Sequence, residues 1–253
     1  MSTNTISSFF QRLASHKKYL IIGSVILVLL IILAIFWSSH KVATSGTDSH
    51  GIVAADSQGA QVGSYNAANF PTLANDDKIF GSKDAPLKIF VYEDYTNPFS
   101  AVLADTLDRI RAESGDKIAV VVRPYAVGNS LPAYQASVAV DCAGAQGKWP
   151  EMRALLLARA KNQQAGALDF GAYARQIGLN QNNFSTCLTN EEKSGKIEQL
   201  EAAAAAYKIQ GAPTIFIGRE MIPGARPYND FVDSNGDKLE GLKTMVDQKL
   251  GQI

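Results

Sequence analysis

The sequence predicts an α/β domain with a long helical insertion, preceded by one apolar span long enough to cross a membrane. Three observations carry this reading. An apolar, β-prone run, Ile89, Phe90, Val91 and Tyr92, passes through a short polar turn into a stretch where Leu103, Leu107 and Ile110 recur at helical spacing. After the Gly115-Asp116 turn, residues 117–123 (with Ile118, Ala119, Val120, Val121 and Val122) read as a second buried strand. Strand, helix and strand thus form a βαβ unit. Residues 131–206 then keep helical spacing almost throughout.

The segments before the domain are read first. Residues 1–18 are polar, with Arg12, Lys17 and Lys18 and no acidic residue, and form a cytoplasmic N-terminal segment. Residues 19–37 carry no charge. At about 19 residues they match the roughly 20 that a helix needs to span the hydrocarbon core, with Tyr19 and Trp37 placed as interfacial anchors. The run exceeds the apolar region of a cleaved signal peptide, and Phe36, Trp37, His40 and Lys41 spoil a small-residue cleavage site. An uncleaved signal anchor is therefore expected rather than a cleaved signal or a core helix. Basic residues precede the span, so the N-terminus stays inside and the domain faces out, into the periplasm or the cell exterior. Residues 38–77, rich in Ser, Gly, Ala, Asn and Asp, read as a flexible linker, with a reach of roughly 35 Å for about 40 residues.

Composition removes several classes of function. The 253 residues are 46% hydrophobic and 19% charged, enough for one globular domain and an additional segment. Lys plus Arg equals Asp plus Glu, so nothing in the net charge favours nucleic acid as a partner. His16, His40 and His50 all precede the domain, which leaves it without histidine and with two cysteines. Zinc, haem and histidine-dependent triads therefore lack their ligands and bases there, and no metal or cofactor is expected.

Within the domain, residues 78–253, Asn97 is a preferred N-cap residue. Pro98 falls at the first helical position, where a missing N–H costs nothing. In the insertion, Ala136, Val140 and Ala143 recur at helical spacing, as do Met152, Leu155, Leu156 and Arg159, with Gly147, Gly166 and Gly178 as punctuation. Residues 198–208, with their alanine run, form the helix that leads back to the sheet. Residues 241–250 form a closing helix with Leu242, Met245, Val246 and Lys249.

Two stretches carry a resemblance. Residues 81–95, opening Gly81-Ser82-Lys83-Asp84-Ala85-Pro86, resemble the entry to the DsbA-like branch of the thioredoxin superfamily. There a Gly-x-x-Asp-Ala-Pro turn feeds the first core strand, and the helix begins Cys-Pro-x-Cys. Residues 209–218 resemble the superfamily's second hallmark, a Gly-x-Pro-Thr turn with the proline in cis, and Gln146-Gly147-Lys148-Trp149-Pro150-Glu151-Met152 resembles a segment of the helical insertion. The resemblance runs from about Asp77 to the end and implies a thioredoxin-like fold. It departs at one place: Asn97-Pro98-Phe99-Ser100 keeps the proline and the aromatic and loses both cysteines. Dithiol exchange needs a thiolate and a resolving thiol, and neither residue supplies one.

Asn97 and Ser100 are read either as remnants touching a ligand or as helix-capping residues. Ser100 as a hydrolytic nucleophile has no histidine partner. Asp94, at the strand's end, either tunes proton transfer, as an acid near the cysteines does in relatives, or is solvated or paired. Phe99, Tyr95 and Tyr125 either border an apolar patch or pack. The resemblance implies a binding groove of Asn97, Phe99, Ser100, Ala212, Pro213 and Thr214. Cys142 and Cys187 belong to no Cys-x-x-Cys; in an oxidising compartment they suggest a structural disulfide, as some DsbA-like proteins carry, against free thiols or an exchanging pair.

Two functions remain. One is a redox-inactive DsbA-like module of the cell envelope, anchored in the cell membrane through residues 19–37, that binds extended polypeptide or another envelope protein in a chaperone or assembly role. The other is a thiol-related oxidoreductase, or an enzyme like a glutathione transferase, that binds a small thiol at the helix N-terminus.

Overall fold

The computed structural model describes residues 65–66, 69–164 and 167–253. The expected cytoplasmic segment and membrane span, and most of the expected linker, lie outside the described residues. Among the described residues no helix is long and apolar enough to cross a membrane.

The strands are β1 (Tyr65–Asn66), β2 (Lys78–Phe80), β3 (Leu87–Glu93), β4 (Ile118–Pro124), β5 (Thr214–Ile217) and β6 (Glu220–Pro223), which join in one sheet in the order β1-β6-β5-β3-β4-β2. β3 and β4 run parallel, and the other pairs are antiparallel. Alternation of side chains along each strand divides the core in two. Ile89 and Val91, Val120 and Val122, and Ile215 and Ile217 face the helices of the larger core. Phe90, Tyr92, Val121 and Phe216 face a smaller one with Ala204, Ile209 and Met221. Burial on both faces explains why β3 and β4 read as continuous apolar runs.

The helix α1 (Pro98–Ser114) follows β3 and buries Leu103, Leu107 and Ile110, while Asp105, Asp108 and Arg109 are exposed, as their spacing predicts. Among the described residues the insertion holds five helices: α2 (Leu131–Gly144), α3 (Trp149–Lys161), α4 (Phe170–Gln176), α5 (Gln181–Leu188) and α6 (Glu191–Ala205). Cys142 of α2 and Cys187 of α5 form a disulfide, with Cα atoms 5.7 Å apart. α7 (Leu242–Leu250) packs Leu242, Met245 and Val246 into the larger core.

Three expectations need correction. The returning helix starts at Glu191 rather than 198 and ends at Ala205, because Lys208 takes a φ of 59° that no helix continues. The domain begins earlier than residue 78: Tyr65–Asn66 pairs with β6, and the Asp77 carboxylate is bound by the buried Arg123 at 2.8 Å. Strand β2 and a small hairpin, β7 (Phe231–Val232) with β8 (Lys238–Leu239), were not expected. The hairpin turn forms because Asp233 Oδ1 accepts from the N–H groups of Asn235 and Asp237.

Candidate functional site

At the end of β3 the chain turns through Asp94. Its Oδ1 accepts from the Thr96 N–H at 2.7 Å and from the Thr96 hydroxyl at 2.6 Å, and its backbone carbonyl accepts from the Asn97 N–H. This is an Asx turn, and it buries Asp94 to 5% exposure; the carboxylate is not solvated as one sequence reading held. Ser100, one turn into α1, is fully buried, and its Oγ accepts from the Asp94 N–H at 3.2 Å. It presents no hydroxyl at the surface.

Asn97 does two things at once. Its Oδ1 accepts from the Phe99 N–H at 2.8 Å, capping α1, and its Nδ2 donates to the Ala212 carbonyl at 3.0 Å. Only one orientation of the side-chain amide satisfies both partners. The Ala212–Pro213 bond is cis, and the loop is held from behind: Thr214 Oγ1 donates to the Gly211 carbonyl, and the Pro213 carbonyl accepts from the Gly224 N–H.

The structure therefore brings the expected groove residues together but makes only some reachable. Asn97, Phe99 and Ala212 are half-buried, whereas Ser100, Pro213 and Thr214 are buried and line no open groove. Of the three aromatics weighed as a patch, Tyr95 is buried in the larger core, while Phe99 and Tyr125 are half-buried, Phe99 packed against the larger core and Tyr125 against the smaller one with its hydroxyl donating to the Ile209 carbonyl.

Beneath the tip lies a charge pair that sequence reasoning missed. Glu93, 1% exposed, receives two hydrogen bonds from Arg153 of α3, the Nη2–Oε2 contact being 2.9 Å. An arginine in a helical run gives no signal that it turns inward; only its partner at the strand's end could have revealed it. Burial holds the Tyr95 phenol well above its usual pKa, with the Glu93 carboxylate acting in the same direction. On the opposite face burial likewise pushes the Tyr92 phenol up to about 12, against the opposing pull of Arg123.

Beside the N-terminus of α1 is a cleft of about 360 Å³, with Tyr95, Thr96 and Pro98 on one wall and Leu156, Gln163 and Leu168 among the residues opposite. It too was not legible in the sequence. No cluster of three or more His, Cys, Asp or Glu arranged to hold a metal occurs among the described residues. Both cysteines of the chain are bridged, so the tip has no thiol to act as nucleophile or metal ligand.

A thioredoxin family model matches residues 74–234, well over half of the chain. The chain belongs to the thioredoxin family. Solved thioredoxin-fold structures agree. Oxidised BdbD from Bacillus subtilis superposes with a TM-score of 0.57 at 15% identity, over 74% of this chain and 100% of that one. Wolbachia pipientis alpha-DsbA1 gives 0.55 at 16%, over 71% and 94%, and the catalytic domain of Proteus mirabilis ScsC gives 0.51 at 23%, over 70% and 92%. At such identities the likeness establishes the DsbA-like thioredoxin fold. Sequence relatives are longer. The Na(+)/H(+) antiporter NhaA 1 of Mycobacterium sp. (strain KMS) is 34% identical over 151 residues, 58% of this chain and 24% of the antiporter. NhaA 3 of Salinispora tropica is 26% identical over 160 residues, 63% and 24%. The chain thus spans about a quarter of the length of the curated relatives it matches.

Proposed function

We propose that this thioredoxin-family chain is a redox-inactive DsbA-like module, held at the outer face of the cell membrane by residues 19–37. In this reading it binds extended polypeptide or another envelope protein near the tip formed by α1 and residues 211–214. The observation that carries it is the state of the degenerate motif. Asn97 is committed to the Phe99 N–H and the Ala212 carbonyl, and Ser100 is buried against Asp94, so the scaffold is kept while no thiol or free hydroxyl is offered. Phe99 remains half-exposed beside Val102, 41% exposed, which gives the tip an apolar contact surface. The longer relatives add a direction: in them the matching stretch is a quarter of a polypeptide named as a Na(+)/H(+) antiporter, which supports an ion-transporting envelope protein as neighbour or client.

The test pairs two assays on the full-length chain: oxidation of a reduced dithiol peptide, with and without glutathione, and binding of an unfolded, fluorescently labelled polypeptide. Saturable binding that Phe99→Glu weakens about tenfold, with no thiol turnover, is the expected result. Turnover by the wild-type chain would overturn the reading.

A further inference from the structure

We infer that the turn between β7 and β8 binds a calcium ion through Asp233, Asn235 and Asp237. The site shares no residue with the tip, so it stands or falls apart from the polypeptide-binding reading above.

Asp233 is 8% exposed, and its two carboxylate oxygens are used differently. Oδ1 accepts from the N–H groups of Asn235 at 2.9 Å and Asp237 at 2.8 Å. Oδ2 is buried and has no hydrogen-bond partner among the described residues. Nor does any lysine or arginine among them form an ion pair with this carboxylate. The turn itself needs only an acceptor at Oδ1, which asparagine would supply without burying a charge. A buried carboxylate with a free oxygen is costly unless a cation meets it.

The next residues supply further oxygens. Asp233, Asn235 and Asp237 stand at i, i+2 and i+4, the spacing of the first three ligands in a twelve-residue calcium loop. Asn235 and Asp237 are exposed, and neither side chain has another partner among the described residues. Their N–H groups already lie on the Asp233 carboxylate, so these short side chains reach a cation at Oδ2 by rotation alone. Calcium takes oxygen ligands at about 2.3–2.6 Å and completes its shell with backbone carbonyls and water. It needs neither histidine nor thiol, so the composition that removes zinc leaves calcium open. Two departures set the strength. Lys238 stands where such loops carry glycine, and Thr244 where they carry a bidentate glutamate. With two carboxylates and one carboxamide, the affinity falls at the extracellular end of the calcium range, about 10⁻⁴–10⁻³ M.

The experiment strips the full-length chain with a chelator and titrates it with calcium chloride at constant ionic strength, by calorimetry and by melting temperature. One saturable calcium per chain is expected, with a melting temperature that rises with calcium. Magnesium, which demands octahedral geometry and keeps its waters, should raise it far less. Asp233→Asn keeps the acceptor of the turn and removes the charge. It should weaken calcium binding about tenfold or more, yet melt at or above the wild type without calcium. Asp237→Asn, at an exposed position, should weaken binding about tenfold and leave the calcium-free melting temperature unchanged. A wild type without saturable calcium binding overturns the inference and leaves Asp233 as a turn residue alone. Binding that both variants retain in full also overturns it, because the ion then sits elsewhere on the chain.

Discussion

Asn97 and Ala212, 115 residues apart, are joined by a hydrogen bond from Nδ2 to the carbonyl oxygen that ties the first turn of α1 to the cis-proline loop. Removing the side chain deletes a helix cap, worth about 1 kcal/mol, and this bond, worth roughly 0.5–1.5 kcal/mol. Asn97→Ala should therefore destabilise the chain by about 2 kcal/mol in chemical denaturation. Asn97→Asp keeps the cap acceptor but turns a carboxylate toward the Ala212 carbonyl. It should release the loop, read as faster amide exchange over residues 211–214, with a smaller stability loss than Asn97→Ala.

Replacing both motif positions tests whether chemistry was lost at the residues or in the scaffold. Asn97→Cys with Ser100→Cys places a thiol at the N-cap, where unpaired N–H groups and the helix dipole favour the thiolate and take its pKa below about 8.5. The double variant should form an additional disulfide by mass analysis and oxidise a reduced model substrate, while the wild type stays at background. Failure of the two new thiols to pair would contradict the turn geometry from Asp94 to Ser100.

The Glu93–Arg153 pair predicts an asymmetry. Arg153→Met strands a carboxylate that is 1% exposed and should cost about 3–5 kcal/mol, whereas Glu93→Leu with Arg153→Met should cost far less than the sum of the single changes. A double-mutant cycle in denaturant measures this directly. Additive losses would mean that the two charges are solvated independently.

How much of this was legible follows from the range of each signal. The Asn97 cap, the Pro98 start, the inward face of Leu103, Leu107 and Ile110, and both central strands are local patterns, and they appear as read. The disulfide needed only two cysteines and an assumed oxidising compartment. What escaped is long-range. Arg153 meets Glu93 across 60 residues, and Arg123 draws Asp77 out of a segment whose composition reads as linker. The burial of Ser100 and Thr214 depends on how the loop and helix close on each other, which spacing does not encode.

Asp141 gives a pH dependence. Burial alone would raise its pKa, but the bond from Lys78, with the charges of Lys78, Lys196 and Lys193, brings it down to about 2 from 3.8. A carboxyl depressed in this way stabilises the fold above its unfolded pKa and loses that contribution as the pH falls from about 4 toward 2, about 2 kcal/mol in all. Asp141→Asn should be less stable by a comparable amount at neutral pH, and its gap from the wild type should narrow across that window in acid titrations of the melting temperature. A constant gap would show that the carboxylate's charge is not what Lys78 holds.

Three consecutive residues at the entry to the sheet each grip a different element: Asp76 holds Lys196 of α6 at 2.9 Å, Asp77 holds Arg123 of β4 at 2.8 Å, and Lys78 holds Asp141 of α2 at 2.7 Å. Mechanically this is a strain relief. A tug arriving along the backbone from the N-terminal side is divided among one strand and two helices of the insertion over three residues. Arg123 stands level with Tyr92, so this fixing lies at the same end of β3 as the Asn97–Ala212 closure.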